Sequence, residues 1–230
     1  MADKLIGFPN ATLPKVLYHY CGVAGLKGII EGKAIWLSDV RYCNDFMEHS
    51  WLKERYDDEI DCLRHHRPSP FHDALAAERA SYREHVAFIA CFSTERDVLS
   101  QWRAYADDGA GFAIGFNPNY FDLNLSGPSY GPDRGTTHGL FPVCYDLDEQ
   151  IALIKKIIEH YRTESQQQDA DVKKYAADCY FNLQMVSIIC KNPAFAEEKE
   201  WRICYRPMIW RTAAGLEILG GNNDIDFRAS

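Results

Sequence analysis

The stretch Phe195-Ala196-Glu197-Glu198-Lys199-Glu200-Trp201-Arg202-Ile203-Cys204-Tyr205 limits the possible folds more than any other part of the chain. From Glu198 onward polar and apolar residues alternate with a period of two, the pattern of a strand whose two faces differ. Read as a strand from Glu198 to Tyr205, it turns Trp201, Ile203 and Tyr205 towards a core. Glu198, Glu200, Arg202 and Cys204 then share the other face, which carries two carboxylates and a guanidinium in a row. On pattern alone that row is either a solvated face with Arg202 pairing Glu200, or a rigid platform for a functional site.

Further β-forming segments lie at Val16–Tyr20, at Ala34–Leu37 ending in Ser38-Asp39, at Phe88–Phe92 ending in Ser93, at Gly111–Phe116 and at Phe141–Tyr145. Helical spacing predicts a helix from Gly22 to Gly32, with Gly32 as its stop, and another through Leu99, Trp102 and Tyr105. Two charged helices are expected at 46–66 and 71–86, divided by Pro68 and Pro70, and two amphipathic ones at 148–162 and 170–190. Residues 124–139, rich in Gly, Pro and Ser, read as a long loop. The expected fold is therefore a single α+β domain over residues 1–230. Its core is a small split β-sheet, with a helical insertion at about 46–86 and a helical segment at about 147–191.

Composition narrows the classes. With 230 residues, 47% of them hydrophobic and 25% charged, the chain is globular rather than disordered. A formal charge of −8 opposes charge-driven binding to duplex nucleic acid or to an anionic membrane. Eight cysteines without a C-x-x-C pair point to reduced thiols rather than a disulfide scaffold, and no H-E-x-x-H motif marks zinc. No apolar run reaches membrane-spanning length, and Met1–Leu5 lacks a signal pattern, so the expected location is the cytoplasm.

Single polar residues have ordinary readings of their own. His19 inside an apolar strand is more often a satisfied core histidine than a catalytic one. Ser93 reads as an N-cap, Asn44, Asp45 and Glu48 as turn and cap residues, and Gln101, Trp102 and Tyr105 as a helix packed on a sheet.

Taken in order, the blocks Leu17-Tyr18-His19-Tyr20, Leu37-Ser38-Asp39 with Asn44-Asp45 and Glu48, Cys91-Phe92-Ser93, Gln101–Ala106 with Gly109–Phe116, Lys191, and Glu198-Lys199-Glu200-Trp201-Arg202 resemble the bacterial domain-of-unknown-function family numbered 2971. Members typically continue with a strand-rich segment beyond this point. The chain ends at Asp226-Phe227-Arg228-Ala229-Ser230, so it reads as a short member or a truncated one. The same series of elements is more distantly similar to the ADP-ribosyltransferase fold.

That resemblance implies an NAD-dependent ADP-ribosyltransferase or NAD glycohydrolase, with NAD as substrate and an acceptor that is protein, nucleic acid or small molecule. It implies Glu200 and Glu198 as catalytic carboxylates and His19, Tyr20, Ser38, Asn44, Ser93, Trp102, Tyr105 and Arg202 as NAD-binding residues. Cleavage of the nicotinamide–ribose bond passes through an oxocarbenium-like state that a carboxylate stabilises, while the second acid orients or deprotonates the nucleophile. A toxin or anti-phage role fits such a bacterial enzyme. The reading fails if His19 and Glu200 lie on distant faces. Its alternatives are a non-catalytic ligand- or protein-binding module on the same fold, and a metal-dependent nuclease using the Glu198-Lys199-Glu200 acids with Asp45 or Glu48.

Overall fold

The computed structural model describes residues 12–40, 48–80, 87–121, 123, 136–212 and 215–219. Asn44, Asp45, residues 81–86 and residues 124–135 lie outside them, with the expectations placed there. The chain is mixed α and β, and every described strand pairing is antiparallel. It divides into two compact units. The first comprises residues 1–40, 86–143 and 194–230, and the second residues 41–85 and 144–193.

The first unit is built on a sheet with strand order β4-β1-β3-β6-β5. Its strands are β1 (Leu17–Cys21), β2 (Ser38–Asp39), β3 (Phe88–Ser93), β4 (Phe112–Phe116), β5 (Thr136–Pro142), β6 (Glu200–Thr212) and β7 (Gly215–Leu219). β2 pairs with β3, and β7 with β6. Helix α1 (Val23–Gly32) follows β1, and α4 (Leu99–Tyr105) follows β3. Leu17, Ile35, Ala90, Phe92, Phe121, Leu140, Trp201 and Ile203 form the buried apolar cluster, with Ile29 and Leu37 packed against it.

Several sequence expectations shift here. The second strand is Ser38–Asp39, paired with Ile89 and Phe88, rather than Ala34–Leu37; Ile35 and Leu37 before it serve the core instead of a ladder. α1 includes Gly32, and Lys33 takes the left-handed turn at φ 49°, the role expected of the glycine. The end of the expected 124–139 loop is strand, because Thr136–Gly139 pair with Pro207–Cys204 of β6. The strand also ends early: Phe141 and Pro142 close β5, and Cys144 makes only an isolated bridge.

The second unit comprises α2 (Glu48–His66), α3 (Pro70–Ala80), α5 (Leu147–Glu164) and α6 (Val172–Ser187). The helical stretches expected at about 46–86 and 147–191 thus supply the described helices of this unit. Asp146 caps α5 by accepting from the Glu149 N–H, and Asp171 caps α6 by accepting from Lys173 and Lys174. α5 buries Leu153, Ile154, Ile157 and Ile158, and α6 buries Ala176, Cys179, Leu183 and Val186, the apolar stripes that a 3.6-residue period places on one side. Among the described residues no helix is long and apolar enough to cross a membrane.

Candidate functional site

The register of the sheet decides which candidate residues share a surface. Tyr18 lies opposite Ser93, and Ser93 lies opposite Glu200. Paired residues project to one side of a sheet, and neighbours along a strand project to opposite sides. Tyr18, Tyr20, Cys91, Ser93, Glu200 and Arg202 therefore occupy one face. His19 occupies the other, where its ring meets Phe92 at 5.7 Å between centroids. Its Nδ1–H donates to the Cys91 carbonyl at 2.9 Å, and burial holds its imidazole below the usual range. His19 is a satisfied histidine on the apolar side of the sheet, separated by that sheet from the acid it was expected to accompany.

On the polar face Arg202 and Glu200 are both buried, at 2% and 6% exposure. Two residues apart on β6, they point the same way and form a forked pair. Nε donates to Oε1 at 2.8 Å and Nη2 to Oε2 at 3.0 Å. The expected pairing is present, but the expected solvated face is not. Beside the pair, burial pushes the Cys204 thiol up to about 12.

Glu198 is not on the strand. It closes a 3-10 turn, Pro193–Glu198, and Lys199 at φ 44° reverses the backbone before β6 begins. A left-handed residue breaks the period-two alternation, so the two glutamates do not form one row. The Glu198 carbonyl instead accepts from the Ser93 hydroxyl at 2.7 Å, and that hydroxyl accepts from the Glu95 N–H at 3.0 Å. Ser93 is not an N-cap, since α4 begins at Leu99 with Val98 before it. Its hydroxyl ties the end of β3 to the turn that starts β6. The Thr94 N–H adds a bond to the Lys199 carbonyl at 3.2 Å.

Tyr20 extends this cluster. Its hydroxyl donates to the Glu95 carbonyl at 2.8 Å and accepts from the Val98 N–H at 3.1 Å, bracing the segment between β3 and α4. Burial raises its phenol above the usual value. Trp102 stands edge-on to Tyr20 at 5.1 Å between centroids and donates its indole N–H to Asp97 at 2.8 Å. The sheet thus brings together Tyr20, Ser93, Glu200, Arg202 and the Glu198 backbone, with Trp102 against Tyr20. Ser38 and Tyr105 are exposed residues.

Surface features not anticipated from sequence lie on and after α1. That helix has no buried residue, and Trp36, expected inside a strand, is 87% exposed. Its period was readable: Ile35 is buried, Trp36 exposed and Leu37 half-buried, so an outward tryptophan followed once the inward partners were recognised.

Residues 101–203, from α4 into β6, match a family described as Protein of unknown function (DUF2971). No curated protein and no solved structure matches the chain. Over that stretch, a little under half its length, the chain is similar to this family, whose description names no activity.

Proposed function

We propose that this chain is a non-catalytic protein-binding module that docks its partner on α1 and the turn that follows. The observation that supports this reading is the exposure of Val23, Ile30 and Trp36, at 60%, 65% and 87%. Val23 and Ile30 are seven residues apart and lie on one side of the helix. Exposed apolar side chains on one helix and on the segment after it are read as an interaction site, and tryptophan is a common anchor in one. The polar knot fits the same reading. Each Glu200 carboxylate oxygen already accepts from Arg202, and the Ser93 hydroxyl both donates and accepts within the protein. The Ser93 bond ties β3 to the turn before β6, and the Arg202–Glu200 pair lies within β6.

The test is a photocrosslinking residue placed at Ile30 in the producing cell, with a second placed at the exposed Glu31 for comparison. A discrete protein adduct at Ile30, reduced at least about fivefold by Trp36→Ala with folding unchanged, is expected. Equal labelling from both positions, or indifference to Trp36→Ala, overturns the reading.

One observation favours a second reading, cleavage of the nicotinamide–ribose bond of NAD. Ser93 and Glu200 face each other on adjacent strands, on the side that also carries Tyr20. This version dispenses with His19 and requires Arg202 to release the Glu200 carboxylate. Release of nicotinamide that Glu200→Gln abolishes distinguishes it from the binding reading.

A further inference from the structure

Cys144 and Cys190 are far apart in sequence but adjacent in the fold. They form an isolated parallel bridge in which the Cys144 N–H donates to the Ile189 carbonyl at 2.8 Å and the Lys191 N–H to the Cys144 carbonyl at 3.0 Å. Bridged residues project the same way, and neighbouring strands lie about 4.7–4.9 Å apart. That spacing falls inside the Cα separation of about 4.4–6.8 Å that a disulfide requires. The Cys144 thiol also lies 3.7 Å from the Asp146 carbonyl and 3.7 Å from a Glu149 carboxylate oxygen.

The bridge is held from beneath. The Gln150 side-chain amide donates to the carbonyls of both Cys144 and Lys191, at 2.8 Å each, and its oxygen accepts from the Trp51 indole at 3.0 Å. One buried side chain therefore clamps both backbone segments. The two thiols differ in access: Cys144 is half-exposed and Cys190 fully buried. The neighbouring Cys190 side chain holds the Cys144 thiol below the usual cysteine range, against opposing effects of burial and of Glu149. Thiolate character and access together select the sulfur that an oxidant meets first.

We propose that Cys144 and Cys190 form a peroxide-responsive dithiol, with Cys144 the sulfur that is oxidised and Cys190 the one that resolves it. In the first step the Cys144 thiolate attacks one oxygen of a hydroperoxide. An S–O bond forms as the O–O bond breaks, and the departing oxide takes a proton to leave as water or alcohol. Sulfur loses two electrons and the peroxide gains them. In the second step the Cys190 sulfur attacks Cys144, the S–S bond forms, and hydroxide leaves with the Cys190 proton as water. A dithiol reductant reverses the change by exchange. The disulfide joins the start of α5 to the end of α6, closing a long loop that stabilises the folded chain.

The test treats the full chain with hydrogen peroxide and maps peptides without reduction. A Cys144–Cys190 linked peptide that has lost two hydrogens, and is recovered as two thiols by dithiothreitol, is expected. In Cys190→Ser, dimedone labelling of Cys144 rises about tenfold over wild type, because the sulfenic acid has lost its resolving partner. Should that variant not fold, diamide treatment of the wild-type chain asks the same question, and the linked peptide is again expected. Both cysteines staying reduced while the exposed Cys62 is oxidised overturns the proposal. So does a linked peptide that joins Cys144 to any other cysteine.

Discussion

At the scale of single residues, the Arg202–Glu200 fork is the feature with the largest expected energy. Both charges are buried, so removal of one breaks a buried, hydrogen-bonded ion pair. Glu200→Gln is expected to destabilise the fold by about 3–5 kcal/mol in urea denaturation. Replacing both residues with apolar ones of similar volume restores most of that loss, because paired burial of charges is itself costly. His19 gives a prediction in pH. Burial keeps its folded-state value below the ordinary 6.5. Above 6.5 neither state of the chain binds the proton; below it the unfolded chain binds first, so stability falls until the folded value is reached. Chemical denaturation from about pH 7 to about pH 5 should show a steeper decline for wild type than for His19→Gln.

The alternation Glu200, Trp201, Arg202, Ile203 was readable from sequence, and so was the Arg202–Glu200 partnership. The burial of both faces was not, because alternation says which residues share a face and nothing about what covers it. Glu198 was misplaced for a local reason, the left-handed Lys199, whose side chain gives no sign of that conformation. The expected company of His19 and Glu200 failed on register, which is set by the pairing of Tyr18 with Ser93 and cannot be read from either strand alone.

At the scale of elements, the helices were the most legible parts. α5 and α6 follow from their apolar period and begin at Asp146 and Asp171, which accept bonds from the first turn. The short strands were less so, since β2 has two residues and owes its pairing wholly to β3. Two substitutions test the element boundaries. Lys33 is exposed and left-handed at φ 49°, so Lys33→Gly should stabilise by about 1 kcal/mol, read as a higher denaturation midpoint. Gly111, before β4, has no room for a methyl group: a Cβ there would lie 2.5 Å from the Cys21 carbonyl oxygen and 2.8 Å from the Ala106 backbone. Backbone cannot move aside cheaply, and Gly111→Ala should cost about 1–3 kcal/mol on the same assay.

For the whole molecule, sequence suggests one domain with a helical insertion and a helical segment, whereas the chain divides into two compact units, the second holding those helices. What sequence did not reveal was the uneven use of the first unit's surface. Its polar residues with the most suggestive chemistry are tied to one another inside, while Val23, Ile30 and Trp36 are among the apolar residues it exposes. On the proposed reading, function lies on the surface of that unit, and the buried cluster serves its stability.

The most direct test of that assignment is to incubate the purified chain and its Glu200→Gln variant with NAD, following free nicotinamide by mass spectrometry and folding by thermal melting. The account predicts no nicotinamide above the protein-free rate from either chain, and a markedly lower melting temperature for the variant. Nicotinamide release by the wild-type chain that disappears in a variant melting at the same temperature would contradict it.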